Sequence, residues 1–166
     1  GFLDLIELLF IKAFREEGVS LQYIRLAANK AAERWNTNHP FCLKRFATNG
    51  REIFATIQQD SDDEQLIELT KSQFAFKAVL NPFLKQIDFN KFGGAYRWWP
   101  LGRSRAVCLD PAISFGRPIV SPYAIPTETL FEAVQSNQPE KEVAKWYDVT
   151  VGAVRAAVEF EKSRAA

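Results

Sequence analysis

The chain has 166 residues, 47% of them hydrophobic and 25% charged, with a formal net charge of +1. Such a composition fits a soluble globular protein of one domain or two small ones, and any basic surface has to be local. Two widely separated cysteines exclude a disulfide framework and suit a reducing, cytoplasmic setting, and no apolar run reaches membrane-spanning length.

Phe2–Glu17 is apolar at Phe2, Leu5, Ile6, Leu9, Ala13 and again at Leu3, Phe10, Phe14, which predicts a helix with a wide buried face. Asp4, Glu7 and Lys12 interrupt it, so it does not read as a signal peptide. With no methionine and a start on Gly1-Phe2, an upstream segment is expected. Gly18 is placed to end this helix and Ser20 to cap a second, Leu21 to about Trp35. Leu43–Ala47 and Glu52–Ile57 flank Asn49-Gly50, the strongest short signal for a β-hairpin, with Lys44, Arg45 and Arg51 on or beside it.

Residues 58–70 hold five acids and no base and read as the start of a solvated connector. Asp60, Asp62, Asp63 and Glu64 lack the glycine and terminal glutamate of a calcium loop. Farther on, Pro82 is expected to open a short helix, Pro82–Ile87. Residues 93–118 carry four arginines against one acid, and Tyr96, Trp98 and Trp99 lie among Arg97, Arg103 and Arg105. Interleaved aromatics and arginines can stack on bases, anchor a protein interface or fill a core. A protein interface is favoured among the functional readings because packing elements flank the segment. Val107–Asp110, Arg117–Val120 and Ile125-Pro126 predict short strands leading into a helix from Thr127 to about Ser136.

Pro139–Lys162 has the spacing of a helix-turn-helix. Val143 and Ala144 face inward, Asp148 stands where the turn needs left-handed backbone, and Thr150 caps the second helix. Its buried stripe is expected at Val151, Val154 and Val158, with Ala157 beside it. Of the positions that would meet DNA (Thr150, Val151, Gly152, Arg155, Ala156) only Arg155 could read a base edge, and Glu159 and Glu161 would repel phosphate. This helix pair therefore suits packing or a protein partner better than base reading.

Phe14-Arg15-Glu16-Glu17-Gly18-Val19-Ser20-Leu21-Gln22-Tyr23-Ile24 resembles the turn between the two rear helices of MerR-type DNA-binding domains. The resemblance implies that Gln22 and Arg25 face a DNA backbone. Asp110-Pro111, Gly116-Arg117-Pro118 and Ile125-Pro126-Thr127, followed by Trp146-Tyr147 and Val154–Glu161, resemble a homeodomain-like family found in bacterial antitoxins of the VapB kind. Some larger members of that family carry both halves in this order. The departure from it is Pro122-Tyr123-Ala124, where many relatives have Gly-Thr before Ile-Pro.

No Gly-x-Ser-x-Gly elbow or phosphate-cradling glycine loop is present, and His39, Cys42 and Cys108 fall one ligand short of a closed zinc site. An enzyme, a metal or another cofactor is therefore not expected. The expected fold is mainly α (α+β). Residues 1–57 would form a MerR-like half-domain with a hairpin, 58–92 an acidic linker and short helix, and 93–166 a homeodomain-like three-helix unit with short strands. The resemblance implies an antitoxin of a type II toxin–antitoxin pair. It would silence a PIN-like ribonuclease toxin through residues 96–105 and, as a homodimer, repress its own operon through Gln22, Arg25, Lys44, Arg45 and Arg51. Neither a membrane nor a small-molecule substrate is expected as a partner. The alternatives are a stand-alone transcriptional regulator and a module that only dimerises.

Overall fold

The computed structural model describes residues 1–165. Among them are eight α-helices and two small β-sheets, a mainly α fold with some β. The chain divides into two compact units, residues 1–95 and the residues from Tyr96 on.

In the first unit, α1 (Phe2–Glu16) buries Ile6, Phe10, Ala13 and Phe14, one helical face. Gly18, at φ +82°, turns the chain where a side chain would be strained. The Val19 N–H then donates to the Phe14 carbonyl at 3.0 Å. Ser20 Oγ accepts the Tyr23 N–H and opens α2 (Leu21–Trp35), as its place in the sequence implies. α2 ends at Asn36 in left-handed backbone. A single 3₁₀ turn, Pro40–Cys42, leads toward α3 (Phe46–Gln58).

α3 replaces the expected hairpin. Asn49-Gly50 lies inside a helix whose buried positions are Phe46, Gly50, Ile53, Phe54 and Ile57. Those positions recur at helical spacing, so tertiary burial overrides a local turn preference. The glycine makes room for a ring: a Cβ on Gly50 would stand 2.8 Å from Phe46 Cε2. Phe46 in turn sits in a cluster with Phe10, Phe14, Phe41, Phe54 and Phe76, all at most 1% exposed. Neighbouring rings are 4.7 Å apart for Phe41–Phe46 and 4.9 Å for Phe14–Phe54, separations at which aromatic pairs attract beyond their area burial.

The stretch expected to be a connector is folded into this unit. Asp63 Oδ1 accepts the Leu66 N–H at 2.9 Å and caps α4 (Glu64–Thr70). Ser72 Oγ likewise accepts the Ala75 N–H and starts α5 (Gln73–Leu84). α4 packs on α3, and α5 on α1, α3 and α4. Pro82 opens no helix; it lies in the last turn of α5. Burial of Phe76 and Leu80 on one face carries the helix to that point, and an exposed proline near a C-terminus removes only one hydrogen bond. Ile87–Phe89 is strand β1, not helix.

Strand β2 (Ala95–Trp98) leads into the second unit. There Trp98 and Leu109 exchange backbone hydrogen bonds of 3.0 and 2.9 Å. β3 (Val107–Cys108), β4 (Ile119–Val120) and β5 (Ile125–Pro126) form an antiparallel sheet in that order, with Val107 opposite Val120 and Val120 opposite Ile125. α6 (Thr127–Gln135), α7 (Glu140–Trp146) and α8 (Val151–Ala165) complete the unit. The short strands running into a helix at Thr127 match the sequence pattern.

α7 and α8 meet at a tight turn. Asp148 takes φ +51°, the Val149 N–H donates to the Ala144 carbonyl at 2.9 Å, and Thr150 Oγ1 accepts the Ala153 N–H at 3.1 Å. Ala144 is buried at the crossing, where a larger side chain would hold the helices apart. The buried face of α8 is Ala153, Val154, Ala156, Ala157 and Phe160, whereas Val151 and Val158 are only half-buried. The expected stripe is thus rotated toward the small residues, because α8 packs on both α6 and α7 and needs close approach on two sides. Leu130, Val143, Val107 and Val120 supply the opposing core.

Candidate functional site

The arginine- and aromatic-rich segment from Tyr96 to Arg105 divides into buried and exposed halves. Arg97 donates through both Nε and a terminal nitrogen to one oxygen of Asp110, at 3.0 and 2.8 Å. Asp110 is 4% exposed, and its other oxygen accepts the Ala112 N–H at 2.9 Å. The bond to Asp110 raises the Arg97 pKa above the already high ordinary value, so this guanidinium stays charged. It also lies over the rings of Tyr96 and Trp99, at 5.5 and 5.7 Å. Trp99 is buried in a small cluster with Cys108, Ile119 and Ile113. Arg97 and Trp99 are therefore building elements of the unit.

Tyr96, Arg103 and Arg105 are the exposed members, and Trp98 is half-buried. Arg103 also lies over the Trp99 ring, 5.8 Å from its centre. Arg105 pairs with Glu159 of α8 at 3.0 Å, and Arg155 pairs with Glu140 of α7 at 2.7 Å. Arg105 and Arg155 thus each have an acidic neighbour, which weakens the positive field around them. A cleft of about 340 Å³ beside the start of α8 is lined by Arg105, Tyr123, Thr150 and Gly152, with Ser104 and Ser121.

The basic residues expected at DNA are not gathered at one place. Gln22 and Arg25 are exposed in the first two turns of α2. Arg45 instead closes the other end of α2: it donates to the Trp35 carbonyl at 3.2 Å and lies over the Trp35 ring at 5.1 Å. Trp35 is thirteen residues beyond Gln22, about 20 Å along a helix axis. Arg51 donates to the Thr70 carbonyl at the end of α4, at 2.9 Å. Both arginines satisfy helix C-terminal carbonyls, where positive charge complements the helix dipole. Lys44 is exposed, and its backbone N–H is bonded to the Gly93 carbonyl.

Among the described residues, no group of three or more histidine, cysteine or acidic side chains could hold a metal. Asp63 is a helix cap, Cys42 is buried and donates to the Leu3 carbonyl at 3.2 Å, and His39 Nδ1 lies 3.9 Å from Asp4. Burial pushes the Cys42 thiol well above its ordinary range, assisted by the nearby Glu7 carboxylate, so Cys42 is a poor nucleophile. Among the described residues, no helix is long and apolar enough to cross a membrane.

Sequence reasoning missed the exposed aromatics. Phe115 is fully exposed, at 102% of a reference residue, and Trp146 is 60% exposed at the end of α7. The one cue to Phe115 was Ser-Phe-Gly in a loop between two prolines; no periodicity marks it.

Comparison with known proteins places this geometry. Residues 107–160, the sheet and helices of the second unit, match a family model described as a protein of unknown function, DUF433. Over 168 aligned residues the chain is 23% identical to a Mycobacterium tuberculosis protein named "Putative antitoxin VapB45", covering 95% of this chain and 70% of that one. The fold is also that of the crystal structure of Rv2018 from Mycobacterium tuberculosis, with a TM-score of 0.75, 22% identity, and coverage of 95% of this chain and 77% of that one. The likeness to a protein named as an antitoxin thus runs through both units.

Proposed function

We propose that this protein is the antitoxin of a type II toxin–antitoxin pair, a cytoplasmic homodimer that neutralises a PIN-like ribonuclease by direct binding and represses its own operon. The observation that carries the proposal is a match to an antitoxin-named protein over 95% of the chain, both units included. The exposed Tyr96, Arg103 and Arg105 support it. A metal-dependent nuclease has an acidic active site, and arginines with aromatic neighbours complement such a surface in charge and shape. The α7–α8 pair serves packing rather than base reading, since Arg155, its one side chain placed to reach a base edge, is already paired with Glu140.

The test is co-expression of the full chain with the protein encoded beside it in the operon. A complex should survive purification, and cleavage of RNA by the partner should stop at one equivalent of this chain. Free, undiminished nuclease would refute the assignment. Operator binding is assigned to Gln22 and Arg25 with Lys44, because Arg45 and Arg51 are engaged by helix-end carbonyls. In a mobility shift with upstream DNA, Arg25→Ala should lower the salt-dependence slope by about 1. An unchanged slope would remove α2 from the DNA interface.

A further inference from the structure

The loop between Asp110 and Arg117 holds a side chain that the fold itself does not use. Ser114, Phe115 and Gly116 take φ values of +48°, +56° and +77° in succession. For a bulky residue such as phenylalanine, left-handed backbone is a genuine outlier. The loop is nevertheless firmly defined. Asp110, pinned by Arg97, holds the Ala112 N–H through its side chain and the Ile113 N–H through its carbonyl, at 2.9 and 3.0 Å. The Gly116 N–H then donates to Ile113, and the Arg117 N–H to Ser114. Ile113 packs beneath, on the cluster of Trp99, Cys108 and Ile119. The outcome is a phenyl ring held out in water on a rigid support, with strain that no burial within the described residues offsets.

We infer that Phe115 is the anchor of the toxin-binding surface, and that it enters an apolar pocket rimmed by acidic side chains on the partner. This assignment rests on the antitoxin reading above and deepens it. Charge selects the occupant. Between Tyr96 and Arg117 the chain carries four arginines and a single acid, Asp110, which is buried and held by Arg97, while Arg105 is paired with Glu159 of α8. Arg103 stands exposed over Trp99, and Trp99 and the Phe115 loop share the cluster just described. Arg117 adjoins the loop and makes an exposed ion pair with Glu128 at 3.5 Å, a kind of pair that a partner's carboxylate readily replaces. Aromatic anchors set in advance in their bound conformation, beside arginines, are what dominate protein interfaces. Nucleic acid is disfavoured, because the loop offers one ring and no run of unpaired cations along a groove.

The experiment measures the affinity of the full-length protein and its Phe115→Ala, Phe115→Trp and Trp146→Ala variants for the operon-encoded neighbour, by calorimetry. Phe115→Ala should weaken binding on the order of 30-fold, with an unchanged melting temperature because the ring is exposed. Phe115→Trp should keep most of the affinity, and Trp146→Ala should bind like the wild type. Arg103→Glu with Arg117→Glu should weaken binding and flatten its salt dependence. Wild-type binding that survives Phe115→Ala within threefold overturns this assignment while leaving the antitoxin reading in place. No binding by the wild type overturns both. Equal losses from Phe115→Ala and Trp146→Ala overturn it too, by placing the anchor elsewhere.

Discussion

Gly50→Ala tests whether α3 is a helix packed on Phe46. In an exposed helix, replacing glycine by alanine gains about 1 kcal/mol. At Gly50 the new methyl would lie 2.8, 2.9 and 3.0 Å from three atoms of the Phe46 ring. That ring cannot yield easily: Phe41 and Phe76 stand 4.7 and 5.9 Å from it, and Trp35 and Phe10 are at 6.1 and 6.5 Å. Overpacking of this kind costs about 1–3 kcal/mol, so the clash wins and the net loss should be about 1 kcal/mol. In a Phe46→Leu background the ring is gone, and the same substitution should become stabilising. The double-mutant cycle in urea should show a coupling of about 1–2 kcal/mol. Additive effects within about 0.3 kcal/mol would refute the packing, since a turn glycine on a hairpin has no such dependence on Phe46.

Other expectations concern the supports of each unit. Asp110→Ala leaves Arg97 without its partner and frees the loop N–H, so the second unit should lose about 2–4 kcal/mol in urea unfolding; Asp110→Asn should recover part of it. Burial raises the Glu7 pKa above the ordinary carboxylate range, despite the Phe41 N–H that it accepts at 2.8 Å. The folded protein therefore holds this proton more tightly than the unfolded chain, and stability falls as pH rises through the raised pKa. Glu7→Gln keeps an acceptor for Phe41, so its melting temperature should drop less than the wild type's from about pH 4 to pH 7. Both cysteines are buried, and a thiol reagent should label neither until the chain is unfolded in urea; rapid labelling of Cys42 in the native protein would contradict the packing around Leu3.

α1, α2 and the α7–α8 pair were legible because each has an apolar period bounded by its own punctuation: Gly18, Ser20, Asp148 and Thr150 act where their chemistry suggests. α3 was not, since Asn49-Gly50 carries the same local signal in a turn as in a helix, and only the Phe46 ring explains the glycine. Pro82 misled in the same way, because the burial of Phe76 and Leu80 that extends α5 is a tertiary fact. The Tyr96–Arg105 segment was legible as residue types, but its division was not. Asp110 alone turns Arg97 inward, and a composition rich in arginine does not reveal which cation has a carboxylate beneath it. Phe115 was invisible for a further reason: its outward pose depends on three consecutive left-handed residues.

Thr127, fully buried at the start of α6, bonds both the Pro118 carbonyl and the Glu161 carboxylate. That carboxylate belongs to the eleventh residue of the fifteen-residue α8. The later turns of α8 are thus a fastener for the sheet and for α6, so cutting the helix before Glu161 would unclasp the opposite side of the domain.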